Sequence, residues 1–406
     1  MVSNGENKMK VLIVSSCDLP VPAVKGGAVS VLIQYIIEEN EKKKCMDLTV
    51  ISSYDPEAEK QAKKYLYTKL IYLQKSKRLE YFDKIIDGIR SKDGKEHQYL
   101  RKLKVIKELQ KHLKENDYDR VVFQNSGYLL NVLKDRKIAE KYEGKLYYHL
   151  HNDIPDNISR VAVSQCKLLL ISEYLKKHIN EVCGRDMSSQ CMIVKNGFDC
   201  THFAQEFPEK EKLALRQKLG IAPEKKIVMF AGRIVAAKGI VELTQAIEKL
   251  NRDDIVLMVV GAHNFGTGQT SGFQEEMKRR FKALGEKVCF TGYVPYNEIW
   301  KYYKLADVAV LPSIWEEPAG LTMIEACAAG IPLITTRSGG IPEYIKGDYS
   351  ILLSKNEDIV DDIKKAIDEV FYNPELWKDK AKKAQKYVSE NFETVNFYNS
   401  FYTKLM

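Results

Sequence analysis

The chain has 406 residues, 45% of them hydrophobic, and 63 Lys and Arg against 55 Asp and Glu give it a net charge of +8. That length exceeds one ordinary core and suits two α/β domains of similar size. No apolar run reaches the roughly 20 residues of a membrane span, and the N-terminus lacks the basic, apolar and small-residue succession of a signal peptide, so the expected place is the cytoplasm.

Short apolar runs alternate with amphipathic stretches along the whole chain, the pattern of parallel sheets covered by helices. In the first half, strands are expected at 11–16, 48–53, 70–74, 120–126, 146–151, 161–164, 168–172 and 191–197. In the second half they are expected at 227–232, 255–261, 288–292, 307–313, 332–336 and 351–354, with a helix at 241–250 among those between them. The turn signal Asn196-Gly197-Phe198-Asp199 divides a first domain, 1–196, from a second, 197–391. The last helical stretch should break near Asn391 to Thr394, and 392–406 is long enough to pack back on the first domain. The expected fold class is therefore α/β, two Rossmann-like doubly wound domains facing a cleft, with ligands beyond the carboxyl ends of the strands.

Eight cysteines form no CxxC pair, and several fall in strand or helix patterns, as expected of reduced core thiols. The spacing of Cys183, Cys191 and Cys200 fits no zinc site. Between Lys60 and Glu115, 17 basic residues meet 7 acids, with Tyr and Leu interleaved and a helical run at 100–115. Such a block suits anionic lipid head groups or an acidic acceptor, which would make the protein peripheral on the inner face of the membrane. A solvated lysine-rich face is the plainer reading. No recognised module accompanies the charge, so nucleic acid is not an expected partner.

The candidate site residues stand just after strands. Gly26 and Gly27 follow the first strand and open a helix, where backbone N–H groups meet phosphate or an acceptor; this is not GxGxxG, so a dinucleotide fingerprint is absent. Asp117 and Asp119 precede a strand, at its amino end, and read as a turn rather than a metal pair. His149 and His151 share one face of their strand; one faces the site, where it would hydrogen-bond a sugar, and the other is core. Arg233 and Lys238, in GRIVAAKG, suit a diphosphate, Arg as a fork of donors and Lys as a point charge. Gly339 and Gly340 form a further glycine loop, with Glu343 beyond.

The most telling stretch is PSIWEEPAGLTMIEACA, Pro312 to Ala328, with Glu317 and Glu325 eight positions apart. A loop that ends a buried strand and opens a helix near Gly320 gathers free N–H groups that attract phosphate. Glu325 lies about 7–8 Å along that helix at ~1.5 Å per residue. Two acids flanking a phosphate cradle suit a molecule with a sugar at each end: a nucleotide-sugar.

These segments, with NGFD, GYVPYNEIWKYYKLADVAVLPS and SGGIPE, resemble the GT-B retaining glycosyltransferases of family four, the group one type. The resemblance covers most of 192–355; in the first half it rests on the KGG loop, the HND segment and ISEYLK. It implies transfer of a sugar from a nucleoside diphosphate sugar to an acceptor hydroxyl with retained configuration, and no metal or other cofactor. It implies that Glu325 holds the ribose and Glu317 the transferred sugar, while Gly320, Leu321 and Thr322 offer backbone amides. Arg233 and Lys238 would neutralise the leaving diphosphate, His151 would touch the sugar, and Tyr293 and Val294 would frame the base. Ala319 stands where the family often has an aromatic, with Trp315 as a substitute for that bulk, which leaves the donor sugar open. UDP is favoured over GDP, and a glycan or lipid-linked acceptor of bacterial surface polysaccharide synthesis is expected. A non-catalytic partner subunit of an active glycosyltransferase and a GT-B nucleotide-sugar epimerase are the alternatives.

Overall fold

A computed structural model of the chain describes residues 8–74, 76–90, 99–152, 163–261 and 272–406. The chain divides into two compact units, Met1–Gly197 with Thr394–Met406, and Phe198–Glu393.

The first unit is built on seven strands: β1 (Met9–Val14), β2 (Met46–Ser53), β3 (Thr68–Leu73), β4 (Arg120–Gln124), β5 (Leu146–Leu150), β6 (Lys167–Leu170) and β7 (Cys191–Ile193). All pairs are parallel, in the order β3-β2-β1-β4-β5-β6-β7. The strand order reverses between β1 and β4, the switch point where such sheets open a crevice for ligands. Val, Ile and Leu fill the central strands because helices cover the sheet. The helix Thr394–Leu405 belongs to this unit. Its Phe397, Tyr398, Phe401 and Leu405 share one core cluster with Leu32, Ile33 and Ile36 of the helix Ala28–Lys43. The Tyr398 hydroxyl donates to Asn40 Oδ1 at 2.8 Å. Burying each such aromatic contributes roughly 1.5–3 kcal/mol.

The second unit has six strands, β8 (Lys226–Ala231), β9 (Ile255–Val260), β10 (Val288–Gly292), β11 (Val308–Leu311), β12 (Leu333–Thr336) and β13 (Ile351–Leu353). They are also all parallel, in the order β10-β9-β8-β11-β12-β13, with the switch point between β8 and β11.

Where expectation and structure differ, local chemistry accounts for it. The strand expected at 161–164 falls partly outside the described residues, and Val163 and Ser164 are helical, closed by a Cys166 N–H to Val163 carbonyl bond of 3.1 Å. β11 stops at Leu311 because Pro312 has no N–H to continue a ladder. The helix break falls at Glu393, between helices Pro374–Phe392 and Thr394–Leu405. All eight cysteines are free; Cys166, Cys200 and Cys327 are buried, and the other five are half-buried rather than core.

Candidate functional site

The loops leaving β8 and β11 are neighbours at the second switch point, and they are stitched together. Gly239 has φ +72°, and a Cβ there would strike the Pro312 carbonyl. The Ala237 carbonyl accepts from the N–H groups of Ile314 and Trp315, at 3.1 and 3.0 Å, and lies 3.1 Å from Ser313 Oγ. Lys238, inside the same turn, is ion-paired with Glu317. Ser313 Oγ donates to the same carboxylate oxygen, Glu317 Oε1, at 2.7 Å. Glu317 is only 8% exposed, so its charge depends on these two partners. Its other oxygen has no protein partner among the described residues.

A second set of bonds braces the loop from β12. Thr336 and Ser338 hydroxyls donate to the Ser313 carbonyl at 2.5 and 2.8 Å. The Gly340 N–H donates to the Glu317 carbonyl at 2.7 Å, and the Gly339 N–H to Glu316 Oε2 at 2.5 Å. Lys355, beyond β13, pairs with Glu316.

The helix Leu321–Ala329 begins at Gly320 without a side-chain cap, which leaves the amides of its first turn as donors. Glu325 sits in that helix, buried, accepting from the Tyr303 hydroxyl at 2.9 Å. Burial pushes its carboxyl up to about 7, and the Tyr303 bond only partly opposes this. Arg233 is exposed just after β8, and its guanidinium has no partner among the described residues. Arg233, Lys238, Glu317, Gly320, Leu321 and Thr322 thus lie on the loops that leave two adjacent strands, with Glu325 one turn into the helix. Val294 is half-buried against the core after β10, two strands from β8. Tyr293 is 60% exposed and Trp315 50%.

In the first unit, Gly26 and Gly27 have φ +70° and +95° and precede the helix Ala28–Lys43, which no side chain caps. His149 is completely buried in β5, its ring 4.1 Å from that of His151 and about 6 Å from those of Phe397 and Phe401. It is the core histidine of the pair. His151 is 7% exposed, with Nδ1 3.2 Å from Asn196 Oδ1 and Nε2 3.0 Å from Gln124 Oε1. Burial drives His149 well below the usual histidine range and pushes His151 down to about 4, against the Asn196 bond. The N–H groups of His151 and Asn152 donate to Asn125 Oδ1 at 2.9 and 3.2 Å, and Asn125 has φ +48° just past β4. Asp119 accepts the Lys10 N–H at 2.8 Å, and Asp117 pairs with Lys141, both serving the turn. Among the described residues no three His, Cys, Asp or Glu side chains are grouped as a metal site.

Sequence reasoning missed Ser313, Glu316, Lys355, Tyr303 and Asn125. Ser313, Glu316 and Tyr303 lay inside the quoted motifs; Lys355 and Asn125 carry no local signal.

Residues 211–387 match the family of glycosyl transferases group 1. YtcC of Bacillus subtilis, assigned to the glycosyltransferases, is 26% identical over 403 residues, 95% of this chain and 88% of that one. The lipopolysaccharide 1,2-N-acetylglucosaminetransferase of Salmonella typhimurium is 30% identical over 258 residues, 61% of this chain and 63% of its own length. Among solved structures, Anabaena HepE in complex with UDP and glucose superposes with a TM-score of 0.72 at 19% identity, covering 98% of this chain and 99% of that one. The second unit of this chain thus matches the glycosyl transferases group 1 family over most of its length, and the chain has the α/β fold seen in GT-B glycosyltransferases.

Proposed function

We propose that the protein is a metal-independent retaining glycosyltransferase that moves a hexosyl or N-acetylhexosaminyl group from a UDP-sugar to an acceptor hydroxyl. The observation that carries this is the pairing of Lys238 and Ser313 on one oxygen of Glu317, at the β8–β11 switch point where the exposed Arg233 also leaves β8.

In the reaction, the anomeric C–O bond breaks and its electron pair passes to the leaving phosphate oxygen. The acceptor oxygen bonds the anomeric carbon on the same face, and its proton passes to the departing phosphate. No enzyme nucleophile is required. Charge grows on the diphosphate, so donors fixed in advance around it supply the largest catalytic contribution. Arg233, Lys238 and the amides of Gly320, Leu321 and Thr322 have that role. An ammonium has three N–H donors, so Lys238 holds Glu317 with one and keeps two for phosphate. The partnerless oxygen of Glu317 accepts from the hydroxyls of the transferred sugar. Glu325 takes the ribose hydroxyls, and Val294 with Tyr293 frames the base. In the first unit, His151 is assigned to the sugar, and Gly26 and Gly27 to phosphate or acceptor.

HepE is named with UDP and glucose, and the Salmonella relative with N-acetylglucosamine, which supports the donor class. We assign the acceptor to the glycans or lipid-linked intermediates of bacterial surface polysaccharides. The enzyme then works at the inner face of the membrane, with the 60–115 block toward anionic lipid. Melting the purified chain against UDP- and GDP-sugars tests the donor, since a ligand that binds the folded state raises Tm by mass action. UDP release by this chain alone, undiminished by a chelator, separates the transferase from a non-catalytic subunit. An α-linked product from an α-linked donor establishes retention. No Tm response to any nucleotide-sugar would refute the reading.

A further inference from the structure

The basic block at 60–115 is not uniform. Around Lys60–Lys69, Lys64 pairs with Glu38 and Lys60 with Glu57, and Glu41 accepts the N–H groups of Leu66 and Tyr67. The helices Lys77–Arg90 and Tyr99–Glu115 also pair cations, Lys84 with Glu80, Lys104 with Glu108, Lys111 with Glu115 and Lys114 with Asp135, and they carry exposed apolar side chains. On the first, Tyr81, Phe82 and Ile85 are 65%, 42% and 43% exposed. Ile85 lies four positions from Tyr81 and three from Phe82, on one side of a helix, and the rings of the adjacent Tyr81 and Phe82 meet edge-on at 5.8 Å. On the second, Tyr99 and Leu103, one turn apart, are 56% and 41% exposed. Scattered exposed apolar groups are ordinary; five on two packed helices are not.

The charge beside them is net positive. The helix Tyr99–Glu115 carries six Lys or Arg against two Glu. Lys107 is exposed with no partner among the described residues, and Arg78 lies 6.0 Å from the Phe82 ring. The two helices are held in fixed relation. Asp83 is fully buried and accepts the N–H groups of Leu100 and Arg101, at 2.7 and 3.1 Å, and the Arg101 guanidinium at 3.2 Å. It thereby caps a helix whose own first turn has no acid. The opposite side of that helix is anchored by Leu109 and Leu113, both fully buried. Two helices braced by Asp83, with aromatic and aliphatic side chains outward and a net positive charge, have the composition of an interfacial membrane contact. A second copy of the chain fits less well, because it would set the same basic faces against each other.

We propose that this helix pair is the membrane-docking element: Tyr81, Phe82, Ile85, Tyr99 and Leu103 enter an anionic bilayer surface while the surrounding Lys and Arg meet its head groups. This rests on, and narrows, the reading that the 60–115 block faces lipid; the donor site is independent of it.

The test uses the full chain and vesicles of phosphatidylcholine alone or with a third of phosphatidylglycerol. Co-sedimentation should occur with the anionic vesicles only and weaken between 50 and 500 mM salt. The triple variant Tyr81→Ser, Phe82→Ser, Ile85→Ser should lower partitioning at least tenfold, and Lys107→Glu about threefold. Both should keep the parent melting curve and the parent Tm response to UDP-sugar. Equal binding to neutral vesicles, no binding to anionic ones, or a triple variant that sediments like the parent would overturn the proposal. So would a parent that self-associates in solution while the triple variant is monomeric, which would assign the face to a second copy. Failure in the vesicle assay with an intact UDP-sugar response would sink the docking proposal and leave the donor reading standing.

Discussion

Glu325→Gln is the most informative single change. The parent carboxyl is lifted from 4.5 to about 7 because the helix and Tyr303 enclose it in a poorly solvated place. At ~1.36 kcal/mol per pKa unit, the ionised form costs the folded protein about 3 kcal/mol. Below pH 4.5 the group is neutral in both folded and unfolded chains, and parent and variant should match. Between 4.5 and 7 the unfolded chain gives up its proton while the folded one keeps it, so parent stability falls as pH rises. Above 7 the whole cost is present. Gln has the same shape, can still accept from Tyr303, and never ionises. The variant should therefore be more stable by about 3 kcal/mol at pH 8 and by less than about 1 kcal/mol at pH 5, read from denaturant melts of the second unit. UDP-sugar affinity should behave oppositely. An ionised carboxylate accepts from two ribose hydroxyls, so parent binding should strengthen as pH rises through 7. The variant should bind roughly ten- to a hundredfold more weakly, with a flat profile, from the loss of charge-assisted bonds of about 1.5–3 kcal/mol. An equal stability difference at pH 5 and pH 8, or an unchanged affinity profile, would refute the reasoning.

Lys238→Ala and Glu317→Ala should each lower turnover by at least about a hundredfold while circular dichroism and melting show a folded protein; near-normal turnover in either would count heavily against their assignment. Gly339→Ala forces a side chain into a φ of +52° and against the Glu317 backbone. It should cost about 1–3 kcal/mol and weaken UDP-sugar binding, whereas Gly272→Ala, whose Cβ meets nothing within 4 Å, should do neither. Acid should loosen the first unit. His151, lowered from 6.5 to about 4, gives stability that is full above pH 6.5 and lost as pH falls toward 4, about 3 kcal/mol in all. His149→Phe removes a second depressed histidine, whose ring nitrogens have no hydrogen-bond partner among the described residues, so Tm should fall less steeply with pH from 7 to 4.5; a slope equal to the parent's would rule out His149 as a source.

The strands were legible because each is a short Val, Ile or Leu run bounded by turn residues, and the acids because the Glu317–Glu325 spacing is local. What supports them was not. Glu316 meets Gly339 and Lys355, 23 and 39 positions away, and Tyr303 reaches Glu325 across 22. No periodicity spans such gaps; only the parallel stacking of β8, β11, β12 and β13 creates the contacts. The two histidines show the same limit. A period of two places them on one face but cannot rank their depth, which Phe397 and Phe401 set from a helix some 250 residues later.

The chain leaves the first unit at Gly197 and rejoins it at Thr394, so the second unit is inserted within the first. The second unit's last core helix, Pro374–Phe392, is separated from Thr394 by Glu393 alone, so during synthesis that unit and the cover of the first are completed almost together. The earlier half must wait, its sheet short of Phe397 and Phe401, until Thr394–Leu405 is made. Nascent protein should therefore pass through a long stage in which the first unit displays an unclosed apolar face to chaperones.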